Sequence, residues 1–100
     1  MAYAVIFTSH KRSDDGYGET SDRMLELAQQ QPGFIAFESA RGADGLGITV
    51  SYWKDLESIR AWKANEEHRV AQSRGKSDWY SDYKVRVAKI EYEYGFDVTR

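Results

Sequence analysis

The chain contains no cysteine, which removes disulfides, thiolate nucleophiles and zinc–thiolate centres from consideration. An excess of one charge is also missing. Fourteen Lys and Arg face sixteen Asp and Glu, for a net charge of −2. Without a basic stripe there is no electrostatic footprint for nucleic acid, and an acidic domain is equally unsuited to an anionic membrane surface. No stretch approaches the ~20 apolar residues of a membrane span. The opening Met1–Phe7 has no basic segment before its short apolar run, so it reads as a strand rather than a signal peptide. The expectation is a cytoplasmic protein with no membrane or nucleic-acid partner. Proline occurs once, at Pro32. Aromatics, by contrast, make up 14% of the chain and apolar residues 41%, a globular composition suited to one domain spanning 1–100.

Periodicity orders the elements. Tyr3 to about His10 is rich in β-branched and aromatic residues and predicts a first strand. Ser13-Asp14-Asp15-Gly16 is turn chemistry, with Asp14 or Asp15 as a helix cap. Apolar Tyr17, Met24, Leu27 and Ala28 then share one helical face up to about Gln31, where Pro32-Gly33 stops the helix. Phe34–Arg41 and Leu46–Trp53 predict two strands joined by Gly42-Ala43-Asp44-Gly45, an Asp-Gly hairpin signal. Asp55 caps a second helix through Leu56, Ile59 and Trp62, with a possible break near Asn65 and an end near Arg74-Gly75. Asp78-Trp79-Tyr80 could add a short helical turn, and Tyr83 to about Tyr94 alternates as the last strand. The order strand, helix, strand, strand, helix, strand predicts an α+β, ferredoxin-like βαββαβ sandwich with an antiparallel four-stranded sheet and both helices on one face.

A sheet covered on one side should show one polar face. Here both alternate sets of the first strand, Tyr3-Val5-Phe7 and Ala4-Ile6, are apolar. The last strand likewise sets Val85 and Val87 against Ala88, Ile90, Tyr92 and Tyr94. Two apolar faces require a second cover that a single chain of this length does not supply, so a homodimer packed sheet against sheet is expected.

For function, the leading feature is Trp62, Asn65 and His68, three residues apart within helix-forming sequence. At about 100° per residue this spacing gathers an indole, a carboxamide and an imidazole on one side of a helix. That is the best candidate wall of a small-molecule pocket.

Gln31-Pro32-Gly33-Phe34, Glu38-Ser39-Ala40-Arg41, Gly47 through Trp53, Ala61-Trp62 through His68, and Trp79-Tyr80 with Tyr83 together resemble the antibiotic biosynthesis monooxygenase family. The resemblance runs from the first strand to about Tyr94 and is closest to small stand-alone members of unassigned role. It implies a dimeric α/β barrel with a pocket in each subunit between helices and sheet. It also implies cofactor-independent oxidation of activated phenols or quinols by dioxygen, with the protein orienting the substrate and favouring its anion. The heme-degrading branch fits less well: it uses an Asn on the first strand, where this chain has Ala4, Val5, Ile6, Phe7 and Thr8.

His68 is placed to accept a phenolic proton near neutral pH; a structural imidazole satisfied by a backbone carbonyl or by Glu38 is the other reading. Asn65 either stabilises a substrate oxygen or peroxide through its amide donors or caps a helix. Trp62 serves the pocket or the core. Tyr52, Tyr80 and Tyr83 are expected around the same region as substrate-binding residues, together with Glu38 and Arg86. Arg86 and Glu38 each interrupt an apolar set, which suggests either a buried Glu38–Arg86 pair or an anion-binding arginine. No phosphate loop or metal-ligand set is present in the sequence. The expectation is therefore a homodimeric, cofactorless monooxygenase of a small aromatic or quinol metabolite, with His68 as base and Asn65 as oxyanion or peroxide stabiliser. The alternative is a non-catalytic dimeric ligand-binding or stress-associated module, and heme binding stands behind both.

Overall fold

The computed structural model describes residues 2–11 and 16–98, with Glu66 described through its backbone alone. Strand β1 spans Tyr3–Lys11, helix α1 Tyr17–Gln29, strand β2 Phe34–Arg41 and strand β3 Leu46–Trp53. Helices α2 (Leu56–Ala64) and α3 (Glu66–Arg74) follow, then a π-helical turn at Gly75–Trp79 and strand β4 at Tyr80–Lys89. The four strands form one antiparallel sheet in the order β2-β3-β1-β4. This is the ferredoxin-like arrangement expected, with the second helical stretch divided in two.

Turn chemistry sets the boundaries. The Pro32-Gly33 stop works because Gly33 takes φ 86° and its missing side chain leaves room for Ser58, whose Oγ would lie 2.1 Å from a Cβ there. Its carbonyl accepts from the Lys54 N–H at 2.8 Å, so the turn after α1 is fixed against the turn before α2. In the β2–β3 hairpin, Gly45 has φ 89° and Asp44 Oδ1 accepts from the Leu46 N–H at 3.1 Å. Asp55 caps α2 as expected, accepting from the Ser58 N–H at 2.8 Å. The proposed Asp14 or Asp15 cap lies outside the described residues.

One expectation is corrected at the C-terminal end. β4 begins at Tyr80 and ends at Lys89, not at Tyr83 and Tyr94. The Ile90 N–H still donates to the Ala2 carbonyl at 2.9 Å, but beyond it no strand pairing is seen among the described residues, and Tyr92, Tyr94, Phe96 and Val98 are all exposed. Strand-like alternation persists there, but the described residues offer no strand with which to pair it.

The register sorts the sheet into two faces. Tyr3, Val5, Phe7 and Ser9 of β1 share one with Trp53, Ser51, Thr49 and Gly47 of β3, and the helices lie on it. There Trp53 is 0% exposed, edge-on to Phe34 and stacked against Trp62 of α2. The opposite face carries Ala4, Ile6 and Thr8 beside Tyr52, Val50 and Ile48, with no element of the described chain over it.

Candidate functional site

The break between α2 and α3 makes the site. Asn65 leaves the helical region (φ −58°, ψ 132°), and its Oδ1 accepts from the His68 N–H at 3.2 Å, capping α3. Trp62 and His68 therefore do not share one continuous helix, and the even spacing is not what unites them. The change of direction does. It folds His68 back over Trp62, with ring centroids 4.1 Å apart and planes 15° from parallel. His68 Nδ1 also lies 2.9 Å from the Trp62 carbonyl.

A carbonyl can only accept, so Nδ1 carries the proton and the neutral ring keeps its lone pair on Nε2. Burial lowers the His68 pKa below the ordinary 6.5, and the Trp62 carbonyl only partly opposes this. The result is an imidazole held neutral, in one tautomer, with its basic nitrogen directed away from the backbone. Behind it Trp62 stacks on Trp53 at 6.2 Å, so the imidazole rests on an aromatic column that reaches the core. The Asn65 NH2 group makes no hydrogen bond among the described residues.

Tyr80 and Tyr83 stand elsewhere on the same face. They pack with Phe7, Tyr17 and Trp79. Tyr83 pairs with Ser9 of β1, whereas Trp53 pairs with Tyr3. Six residues separate those positions along β1, roughly 20 Å at ~3.3 Å per residue. Tyr80 thus belongs to a second aromatic cluster, and burial with its hydrogen bond to Tyr17 raises its pKa. Between the clusters Val85 and Val87 of β4 stand on the helix face and remain 47% and 48% exposed, because the helix layer leaves this edge open.

Sequence reasoning missed the centre of this second cluster. The Arg41 guanidinium donates to Ser9 Oγ at 3.0 Å, to Tyr17 OH at 3.3 Å and to the Gly45 carbonyl. Ser9 is 1% exposed. The available signal was Gly47, the second residue of β3: a Cβ there would lie 2.3 Å from the guanidinium carbon, and a strand glycine often marks a close approach.

Tyr52, Glu38 and Arg86 are not on the helix face at all. They project from the uncovered one, where Tyr52 OH donates to Glu38 Oε1 at 3.1 Å and its pKa is raised chiefly by that bond. The proposed Glu38–Arg86 pair does not form. Glu38, Val50, Ile6 and Arg86 occupy one row across β2, β3, β1 and β4, so about 14 Å of sheet divides the ends at ~4.8 Å per strand.

A cleft of about 320 Å³ lies between α1 and α3, with Met24, Val70 and Ala71 in its wall and the Arg23–Glu67 ion pair among its lining residues. Neither Trp62 nor His68 lines it. Among the described residues no group of three or more His, Asp or Glu is positioned to hold a metal ion, and no helix is long and apolar enough to cross a membrane.

Comparison with known proteins places this architecture. The uncharacterized protein YqjZ of Bacillus subtilis is 54% identical over 90 residues, covering 89% of this chain and 79% of the relative. A jasmonate monooxygenase of Pyricularia oryzae is 27% identical over 94 residues, covering 88% of this chain but 43% of that protein. SnoaB, a cofactor-independent oxygenase from Streptomyces nogalater, superposes with a TM-score of 0.79 at 13% identity, over 92% of this chain and 95% of that one, a likeness of fold. The family pattern itself spans residues 4–74, from β1 to the end of α3 and across the Trp62–His68 stack. The chain belongs to the antibiotic biosynthesis monooxygenase family.

Proposed function

We propose that the protein is a monooxygenase of a small phenolic or quinol-type metabolite, working without a bound cofactor, and that His68 is its base. The observation that carries this reading is the single tautomer of His68: Nδ1–H is committed to the Trp62 carbonyl, and Nε2 is left basic. Kinship with a family that includes a cofactor-independent oxygenase supports it.

In the reaction proposed, Nε2 takes the proton of the substrate hydroxyl, and the electron-rich anion reduces dioxygen directly. Recombination forms a peroxide on a substrate carbon. His68 returns its proton to the peroxide; O–O cleavage with loss of the hydrogen on the peroxide-bearing carbon then leaves one oxygen in the quinone product, and the other departs as water carrying those two protons. The substrate supplies all the electrons, so no external reductant enters the balance. The indole of Trp62 stabilises the transient imidazolium by lying parallel to it, and the Asn65 NH2 donors are available to a developing oxyanion. Removing a base of this kind typically costs ~10²–10⁴-fold in rate. His68→Gln should lose that factor in kcat with its fold intact. Equal turnover by the variant and the wild type would refute the assignment.

The partner expected for the uncovered sheet face is a second copy of the chain. A second reading, a ligand-binding protein without turnover, draws on one feature: the open cleft between α1 and α3 is not lined by His68. A ligand that binds equally to wild type and His68→Gln and is never converted would establish it.

A further inference from the structure

One row of the helix face joins Arg41, Gly47, Ser9 and Tyr83, a residue from each of β2, β3, β1 and β4. Because Gly47 has no side chain, the Arg41 guanidinium lies over β3 and reaches β1. A Cβ at Gly47 would sit 2.3 Å from its carbon and 2.4 and 2.8 Å from its terminal nitrogens. There Nη2 donates to Ser9 Oγ at 3.0 Å and to Tyr17 OH at 3.3 Å, and Nη1 donates to the Gly45 carbonyl. All three acceptors are neutral. Among the described residues no carboxylate pairs with Arg41.

The donors here outnumber the acceptors. A guanidinium has five N–H groups, and three are used, so two remain. The Tyr17 oxygen accepts from Arg41 and, at 3.3 Å, from Tyr80 OH, which leaves the Tyr17 hydrogen to donate. Tyr80 does not supply the missing negative charge as a phenolate, since burial first and the Tyr17 bond second raise its pKa. Lys11 adds to the positive potential, with Nζ 4.5 Å from the Tyr17 ring centroid. A charge drawn out of water costs free energy until an opposite charge meets it. Arg41, Tyr17 and Tyr80 are only half-buried, so a molecule from solvent can bring that charge. Rings wall the surroundings: Phe7 packs against Tyr80 and Tyr83 at 5.5 and 5.3 Å, and Tyr17 against Tyr80 at 5.8 Å. An aromatic acid matches both features, its carboxylate meeting the donors and its ring meeting the rings. A phosphate, hydrated on every side, would lose water to aromatic surface without compensation.

We propose that Arg41, Tyr17 and Tyr80 form a binding site for the carboxylate of a small aromatic acid. The site lies at the Ser9 row, six residues along β1 from the Tyr3–Trp53 row on which Trp62 and His68 are stacked. It is therefore separate from the imidazole and involves no covalent step. The acid binds as its anion, accepting from the guanidinium and from the Tyr17 hydroxyl.

Titration calorimetry of the full chain with benzoate, benzamide and inorganic phosphate reads the site directly. Wild type should take up one benzoate per chain, with benzamide and phosphate each bound about tenfold or more weakly. Arg41→Gln should lower benzoate affinity by about tenfold or more, because the charge is gone. Tyr17→Phe keeps the ring, removes only the hydroxyl, and should cost about fivefold. Thermal unfolding checks that each variant folds. Arg41 ties β2 to β1 and to the hairpin turn, so Tyr17→Phe carries the test if Arg41→Gln does not fold. The site would be overturned by the absence of saturable benzoate binding, by benzamide binding as tightly as benzoate, or by an affinity that the folded variants leave unchanged. Phosphate bound as tightly as benzoate would overturn the aromatic acid as its ligand. The readout is binding alone, so failure here leaves the assignment of His68 standing, and failure of that assignment leaves this site standing.

Discussion

At the scale of single residues, His68 and Asn65 carry two separable predictions. Folding lowers the His68 pKa, so between the folded value and the ordinary 6.5 the unfolded chain binds more protons. Stability from this group is complete above about pH 6.5 and falls as the pH drops through the folded value. Thermal unfolding of wild type and His68→Gln should therefore converge on acidification, and parallel pH curves would contradict the assignment. The same depression places the rising limb of a kcat/KM profile below pH 6.5. Asn65 is distinguished by its two ends. Asn65→Ala should cost ~1 kcal/mol through the lost cap. Asn65→Ser retains an acceptor for the His68 N–H and should restore most of that stability. If it also restored full turnover, the amide donors would have no catalytic part. Asn65 was readable in sequence as both a cap and an oxyanion donor; the structure shows the cap.

At the scale of elements, what was legible followed from local chemistry. Pro32-Gly33, Asp44-Gly45 and Asp55 are punctuation whose geometry is decided within a few residues, and β2, β3 and the start of α2 stand where those signals put them. The end of β4 was not legible, because alternation through Tyr92 and Tyr94 records a face without saying what pairs with it. The Trp62–His68 neighbourhood was anticipated from helical spacing, yet it arises from the break at Asn65, which spacing does not contain. Tyr80 and Tyr83 were grouped with it although six strand positions intervene, since only the β1–β4 register reveals that distance. Gly33 joins the two halves of the chain, so Gly33→Ala should be costly out of proportion to its size. A strained positive φ accounts for ~1–3 kcal/mol, and the clash with Ser58 adds to it. A thermal midpoint unchanged from wild type would contradict this.

For the whole molecule, the helix layer and the bare sheet face divide the labour. The former holds the His68–Trp62–Trp53 column and leaves the β4 edge open beside Val85 and Val87. The latter carries Tyr52, Glu38 and Arg86, which the strand alternation singled out as candidate substrate-binding residues and which the register places on the side away from the helices. The most direct test of the central claim is dioxygen uptake by dialysed protein, without added flavin or metal, offered a panel of naphthols and anthrones. Uptake matched by quinone formation, and reduced ~10²-fold or more by a His68→Gln variant that still unfolds cooperatively, is the predicted result. The account would be contradicted by no uptake across the panel, or by uptake that His68→Gln leaves untouched.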